Sequence, residues 1–235
     1  MKTVLSVFTV LVVLGAVLGM AYALAEPPST AQVIRSIDEI HRYNFTRTVT
    51  FRQYYMNATN TNNTREVKKT FAYTGKVTAT GQVDLDKGVV IEEEKFYVNG
   101  SAVMNGHVVV DLKTGEVSGS IKLLDGSEVD VLTFWREYFG LSREQALAMF
   151  RENFPLVSLR RILENSEDAR MVSEGVSLST RVLQGLGLED KTYVYSVKTS
   201  SGRMWTLTVD SEGRPLEFVS DDETARVVVE IQPLG

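Results

Sequence analysis

The chain has 235 residues, with 25 Lys and Arg against 30 Asp and Glu, a net charge of −5 and 43% hydrophobic residues. A mildly acidic chain without a basic stripe is not built for nucleic acid. The absence of cysteine removes thiol catalysis, disulfides, cysteine metal sites and a lipid-modified cysteine together.

Met1-Lys2 is followed by an uncharged run from Thr3 to Ala25, and Ala23-Leu24-Ala25 stands just before Glu26-Pro27-Pro28. A positive start, an apolar core and a small-x-small site predict an export signal over residues 1–25. The run is also long enough for an uncleaved anchor, because a membrane-spanning helix needs about 20 apolar residues. In that alternative Lys2 stays on the cytoplasmic side. Both readings place the chain outside the cytoplasm. Lys2 is the only charge in this segment, so residues 26–235 carry 24 basic and 30 acidic residues. They are expected to form a single domain that buries a sizeable core, with a division near Asp125–Val129 as the alternative.

A short amphipathic helix is expected first. Ser29 or Thr30 can cap it, Val33, Ile34, Ile37 and Ile40 follow helical spacing, and it ends near Tyr43-Asn44. Antiparallel strands follow. Thr46 to Tyr55 is rich in β-branched and aromatic residues and closes in a turn-rich stretch from Asn57 to Thr64. Glu66 to Val83 is a second long strand, with Gly75 and Gly81 expected at bends or bulges. Asp86-Lys87-Gly88, Asn99-Gly100 and Thr114-Gly115 are hairpin turns between Val89–Val98, Ala102–Leu112 and Val117–Leu124.

The pattern changes at Val129. Phe134 to Phe139 reads as helix ended by Gly140. Ser142, with Gln145 at the capping-box position, starts a second helix whose buried stripe is Leu147, Phe150 and Phe154. Pro155 ends it, and Leu156, Leu159, Ile162 and Leu163 begin a third. Strands then return over Arg170–Leu183, Thr192–Lys198, Arg203–Asp210, Pro215–Val219 and Ala225–Ile231, joined by tight polar turns. The predicted class is α+β: a large curved antiparallel sheet with helices on one face.

This order resembles the LolA-like lipoprotein-carrier superfamily, which includes the periplasmic lipoprotein carrier and mycobacterial lipid-binding lipoproteins. The most similar stretch runs from Lys191-Thr-Tyr-Val-Tyr-Ser-Val-Lys198 through Gly202-Arg-Met-Trp-Thr-Leu-Thr-Val-Asp-Ser-Glu-Gly-Arg-Pro-Leu216 to Ala225–Ile231. There a strand ending in Asp210 meets the Gly213-Arg214-Pro215 turn and returns as the next strand. The resemblance implies an unclosed half-barrel whose concave face is covered by helices, enclosing an apolar cavity for acyl chains. The absent anchor cysteine agrees with the soluble carriers and departs from the lipoprotein members.

Catalytic motifs are missing. His41 and His107 are far apart and lack zinc-type spacing, and no nucleophile elbow, phosphate loop or dinucleotide fingerprint occurs. Neither metal nor cofactor is expected. Asp84-Leu85-Asp86-Lys87-Gly88 starts like a calcium loop, but Lys87 and Lys95 stand where oxygen ligands are needed. Glu92-Glu93-Glu94 alternates across a strand and is read as a solvated face. Four N-x-Ser/Thr acceptors, at Asn44, Asn57, Asn62 and Asn99, predict glycosylation; Asn- and Thr-rich turns are the plain alternative.

Aromatic residues form the candidate ligand site. Phe134, Trp135, Tyr138 and Phe139 occupy adjacent helical positions, Phe150 follows in the next helix, and Trp205 alternates with Leu207 and Val209. Over an open sheet they would line a lipid-sized cavity; ordinary core packing is the alternative. The function expected is a non-enzymatic, extracytoplasmic binding protein for a hydrophobic or lipid-linked ligand. Its partners would be that lipid and a membrane surface or cell-envelope proteins. The alternatives are a filled-core interaction module and a carboxylate-based glycan hydrolase.

Overall fold

The computed structural model describes residues 26–61, 64–177 and 190–234. The expected export signal or anchor, Asn62 and the end of the Arg170–Leu183 strand beyond Ser177 lie outside the described residues. Among the described residues no helix is long and apolar enough to cross a membrane.

Ser29 starts helix α1 (Thr30–Glu39) with a capping box. Its hydroxyl accepts the Gln32 N–H at 3.3 Å, and Gln32 Oε1 accepts the Ser29 N–H at 2.7 Å. The helix stops at Ile40, short of the expected Tyr43-Asn44. From Tyr43 onward the backbone is paired on both sides, to Val83 and to Pro233, and a doubly paired strand displaces the last helical turn.

Six strands follow: β1 (Arg42–Thr61), β2 (Thr64–Asp84), β3 (Val89–Val98), β4 (Ser101–Asp111), β5 (Glu116–Leu123) and β6 (Glu128–Asp130). Helices α2 (Val131–Phe139), α3 (Arg143–Glu152) and α4 (Pro155–Glu164) come next. The chain ends in β7 (Ser166–Ser177), β8 (Asp190–Thr199), β9 (Met204–Asp210), β10 (Pro215–Asp221) and β11 (Ala225–Pro233). The turns use the residues foreseen: Asn99 (φ 49°) and Gly100 (φ 85°) both have positive φ, as a two-residue hairpin of the primed type requires.

The eleven strands of the described residues form one antiparallel sheet in the order β6-β5-β4-β3-β2-β1-β11-β10-β9-β8-β7. Because β1 pairs with both β2 and β11, the first and last strands sit side by side in the middle. The two edges are β6 and β7, which are consecutive in the chain, and α2–α4 is the segment that joins them. The helical block therefore leaves one edge of the sheet, crosses its concave face and re-enters at the other edge. This is the unclosed half-barrel with helices on its concave face that the resemblance implies.

The inward face of the central strands is buried: Tyr43 and Phe45 of β1, Ala79 and Val83 of β2, Val108 and Val110 of β4, Tyr193 and Val197 of β8, and Leu207 and Val209 of β9. Leu156, Leu159 and Leu163 of α4 and Val33 and Ile37 of α1 pack down onto them. Asp38 of α1 and Arg160 of α4 are ion-paired across this helix contact.

Two expectations are corrected. The stretch after Tyr55 is not a turn up to Thr64: β1 continues to Thr61, so Asn57 lies in a strand. Beyond Phe51 and Gly75, where β11 and β3 end, β1 and β2 run on as a two-stranded ribbon. Gly75 and Gly81 are not bulges either; the register shift falls between Gln53 and Tyr54. Gly81 pairs directly with Phe45, and a Cβ there would lie 2.6 Å from the Phe45 ring and 2.6 Å from the Ile91 carbonyl oxygen. Gly75 is likewise covered by Phe51. These glycines give two aromatic rings room to lie across the neighbouring strand.

Candidate functional site

The helical block does not close down on the whole sheet. Asp130 caps α2, its Oδ1 accepting the Leu132 and Thr133 N–H groups at 3.0 Å, and Gly140 (φ 65°) ends the helix in the left-handed conformation. Between this short helix and strands β2–β5 lies a cavity of about 540 Å³. Phe134, Trp135, Tyr138 and Phe139 line it from above; Val77, Phe96, Met104, Ile121 and Leu123 line it from the sheet. Phe134 and Trp135 are buried, whereas Tyr138 and Phe139 are 58% and 62% exposed and form its rim. Phe134 stacks on Tyr138 at 4.6 Å and meets the edge of Phe139 at 5.7 Å.

A second cavity, of about 520 Å³, lies between α4 and the strands on the other side of β1. Its walls are Val49, Val77, Trp205, Phe218, Val227 and Val229 from the sheet and Pro155, Ser158, Arg161 and Ile162 from α4. Both volumes fall in the range of small-molecule sites. Val77 lines both cavities, so they adjoin on the concave face.

A polar cluster marks the boundary. Arg47, on the inward face of β1, places Nη2 2.7 Å from Glu92 Oε1 and 3.2 Å from Glu94 Oε1. Its Nη1 donates to the Asn153 carbonyl at 3.2 Å, at the junction of α3 and α4. The register explains the reach: Arg47 pairs with Ala79, Ala79 pairs with Glu94, and Gly81 pairs with Glu92. Small residues on β2 leave the guanidinium room to extend over them. Four residues before Arg47 on the same face, the Tyr43 hydroxyl is hydrogen-bonded by the Leu156 backbone. That bond uses an N–H left over at the start of α4, whose N-cap Phe154 offers no side-chain acceptor. Burial raises the Tyr43 hydroxyl well above the ordinary phenol range.

Glu92 is 3% exposed, so the reading of Glu92-Glu93-Glu94 as a solvated face is corrected. Glu92 and Glu94 point into the concavity and only Glu93 and Lys95 look outward. Burial pushes the Glu92 carboxyl up to about 7, against the pull of Arg47 and with a push from Glu94. Sequence reading overlooked Arg47. Its signal was a lone cation on the inward side of the alternating series Tyr43, Phe45, Arg47, Val49, Phe51, opposite an equally misplaced pair of carboxylates.

The aromatic site residues divide between the cavities. Phe134, Trp135, Tyr138 and Phe139 line the first and Trp205 the second. Phe150 lines neither; it packs between Trp135 and Phe154 at 6.2 and 5.4 Å. Asn99 is exposed at a hairpin turn, while Asn44 is a half-buried strand residue paired to Gln82 and Gln232. His41 and His107 are exposed, and His41 lies 2.9 Å from Asp86. Among the described residues no cluster of His, Asp and Glu is arranged to hold a metal ion.

No family model matches this sequence, and neither does any curated protein. Solved structures are similar at low identity. LprF from Mycobacterium bovis matches with a TM-score of 0.44 and 11% identity, over 89% of this chain and 97% of its own. A β-barrel-like protein of the domain of unknown function DUF1849 from Brucella abortus matches with a TM-score of 0.31 and 10% identity, over 83% and 99%. A DUF1329 family protein from Desulfovibrio piger matches with a TM-score of 0.28 and 8% identity, over 86% and 89%.

Proposed function

We propose that this chain is an extracytoplasmic, non-enzymatic binding protein that holds a hydrophobic ligand, a lipid or lipid-linked molecule, between its sheet and its helices. The observation that carries the reading is the pair of adjoining apolar cavities between the concave face and the short helices α2 and α4. A sheet of this size with helices across it could have buried all of its inward face. Instead it leaves hydrocarbon walls open beside exposed aromatic rims. Apolar burial supplies the affinity, since each CH₂ removed from water contributes about 0.8 kcal/mol. Helix α2 is short and capped at both of its own ends by Asp130 and Gly140, so it can shift as a unit to admit the chain. The predicted export signal or anchor at residues 1–25 supports the location.

The test is to purify the full-length chain from membranes of its native host, extract it with organic solvent and analyse the extract by mass spectrometry. Acyl or isoprenoid lipid in stoichiometric amount is expected. Reproducibly lipid-free protein that also takes up no added lipid would overturn the reading and favour a partner-binding module.

A further inference from the structure

Among the described residues two large cavities adjoin on the concave face, and a polar cluster stands beside their junction. We infer that the ligand is a two-chained lipid without charge at its joint, one chain in each cavity and a hydroxyl, ester or amide linkage at Arg47 and Glu94. The inference rests on the proposed lipid-binding function and names the class of lipid.

The geometry has three parts. The cavities are nearly equal, about 520 and 540 Å³, and meet at Val77, so a ligand filling both must run in two directions from a common point. Beside that point stands a cluster of charged side chains contributed by both cavities. Arg47 lines one cavity and Glu94 the other, and the two are hydrogen-bonded to each other at 3.2 Å. A linkage there finds a donor and an acceptor side by side.

The charge balance selects against an anionic joint. One guanidinium faces two carboxyl groups, Glu92 at 2.7 Å and Glu94 at 3.2 Å, so no positive charge is left over for a phosphate. Arg161, on the wall of the second cavity, is itself 3.7 Å from Glu152. Lys95 borders the first cavity next to Glu94, but strand alternation turns its exposed side chain to the convex face. An anion at this point would meet two acids and low-dielectric walls, whereas a neutral hydrogen-bonding group would satisfy both partners.

The chain carries its own reporters. It has two tryptophans, Trp135 in the wall of one cavity and Trp205 in the wall of the other. Trp135→Phe and Trp205→Phe variants of the full-length chain therefore each report on one cavity. Three probes are titrated: a diacylglycerol brominated on both chains, a phosphatidic acid with the same chains, and a single-chain brominated fatty alcohol. The diacylglycerol is expected to quench both tryptophans in parallel, saturating at one molecule per protein. The fatty alcohol is expected to need two, and phosphatidic acid to bind about tenfold more weakly or worse. Native mass spectrometry of the unaltered chain gives the same stoichiometries without relying on either variant.

Each failure has its own meaning. Diacylglycerol that quenches one tryptophan only, or fatty alcohol that saturates both at one per protein, overturns the two-chain assignment while lipid binding stands. Phosphatidic acid binding as tightly as diacylglycerol overturns the uncharged joint. Binding of none of the three overturns this inference together with the lipid-binding function beneath it.

Discussion

At the scale of single residues, Glu92 is the side chain whose chemistry is most displaced from the ordinary. Its pKa rises from 4.5 to about 7 because burial penalises the carboxylate more than Arg47 rewards it. The native state therefore holds this proton more tightly than the unfolded chain does. The associated stability is present below about pH 4.5 and is lost as the pH rises through about 7, on the order of 3 kcal/mol in all. Glu92→Gln removes the titration and keeps the shape. The difference in unfolding free energy between variant and wild type, followed from about pH 5 to pH 8 by denaturant titration, should grow in favour of the variant. Two parallel curves would mean that Arg47 keeps Glu92 ionised throughout. Gly81 gives a second prediction at this scale. With the Phe45 ring and the Ile91 carbonyl both 2.6 Å from where a Cβ would stand, Gly81→Ala must displace a buried ring. A loss of about 1–3 kcal/mol is expected by denaturant unfolding.

Individual elements were legible wherever local chemistry decides them. Ser142 with Gln145, the Gly140 C-cap and the Asn99-Gly100 turn are two- to four-residue devices, and each occurs where the residues place it; of the two caps open for the first helix, Ser29 is the one used. Legibility failed where a residue's role depends on a partner distant in sequence. Gly75 and Gly81 look like bends or bulges until Phe51 and Phe45 are seen lying over them. Glu92 looks solvated until β1 brings Arg47 to it from 45 residues away. The cap of α2 can be tested on its own. Asp130 accepts two backbone N–H groups at the start of the helix that roofs the first cavity. Asp130→Ala should cost about 1 kcal/mol by thermal or denaturant unfolding, and Asp130→Ser should recover most of it.

For the whole molecule, connectivity ties the open edge to the site. Strands β6 and β7 do not pair with each other, and α2–α4 spans the distance between them. The sheet stays unclosed and the helices lie where the missing closure would have been. The arrangement separates residues that hold the fold from residues that only shape the cavity, even on one nine-residue helix. Phe134 is 5% exposed and belongs to the main core, so Phe134→Ala should cost about 3–5 kcal/mol. Tyr138 and Phe139 line the same cavity but are mostly exposed, and replacing both with Ser should cost only on the order of 1–2 kcal/mol. The double variant should nevertheless bind a brominated diacylglycerol about tenfold more weakly or worse, because the ligand loses two rings that it would otherwise cover. Unfolding midpoints and quenching titrations on the same samples measure both quantities. If Tyr138 and Phe139 serve the cavity, stability and binding come apart. Undiminished binding in the double variant would show that the first cavity is not where the ligand lies.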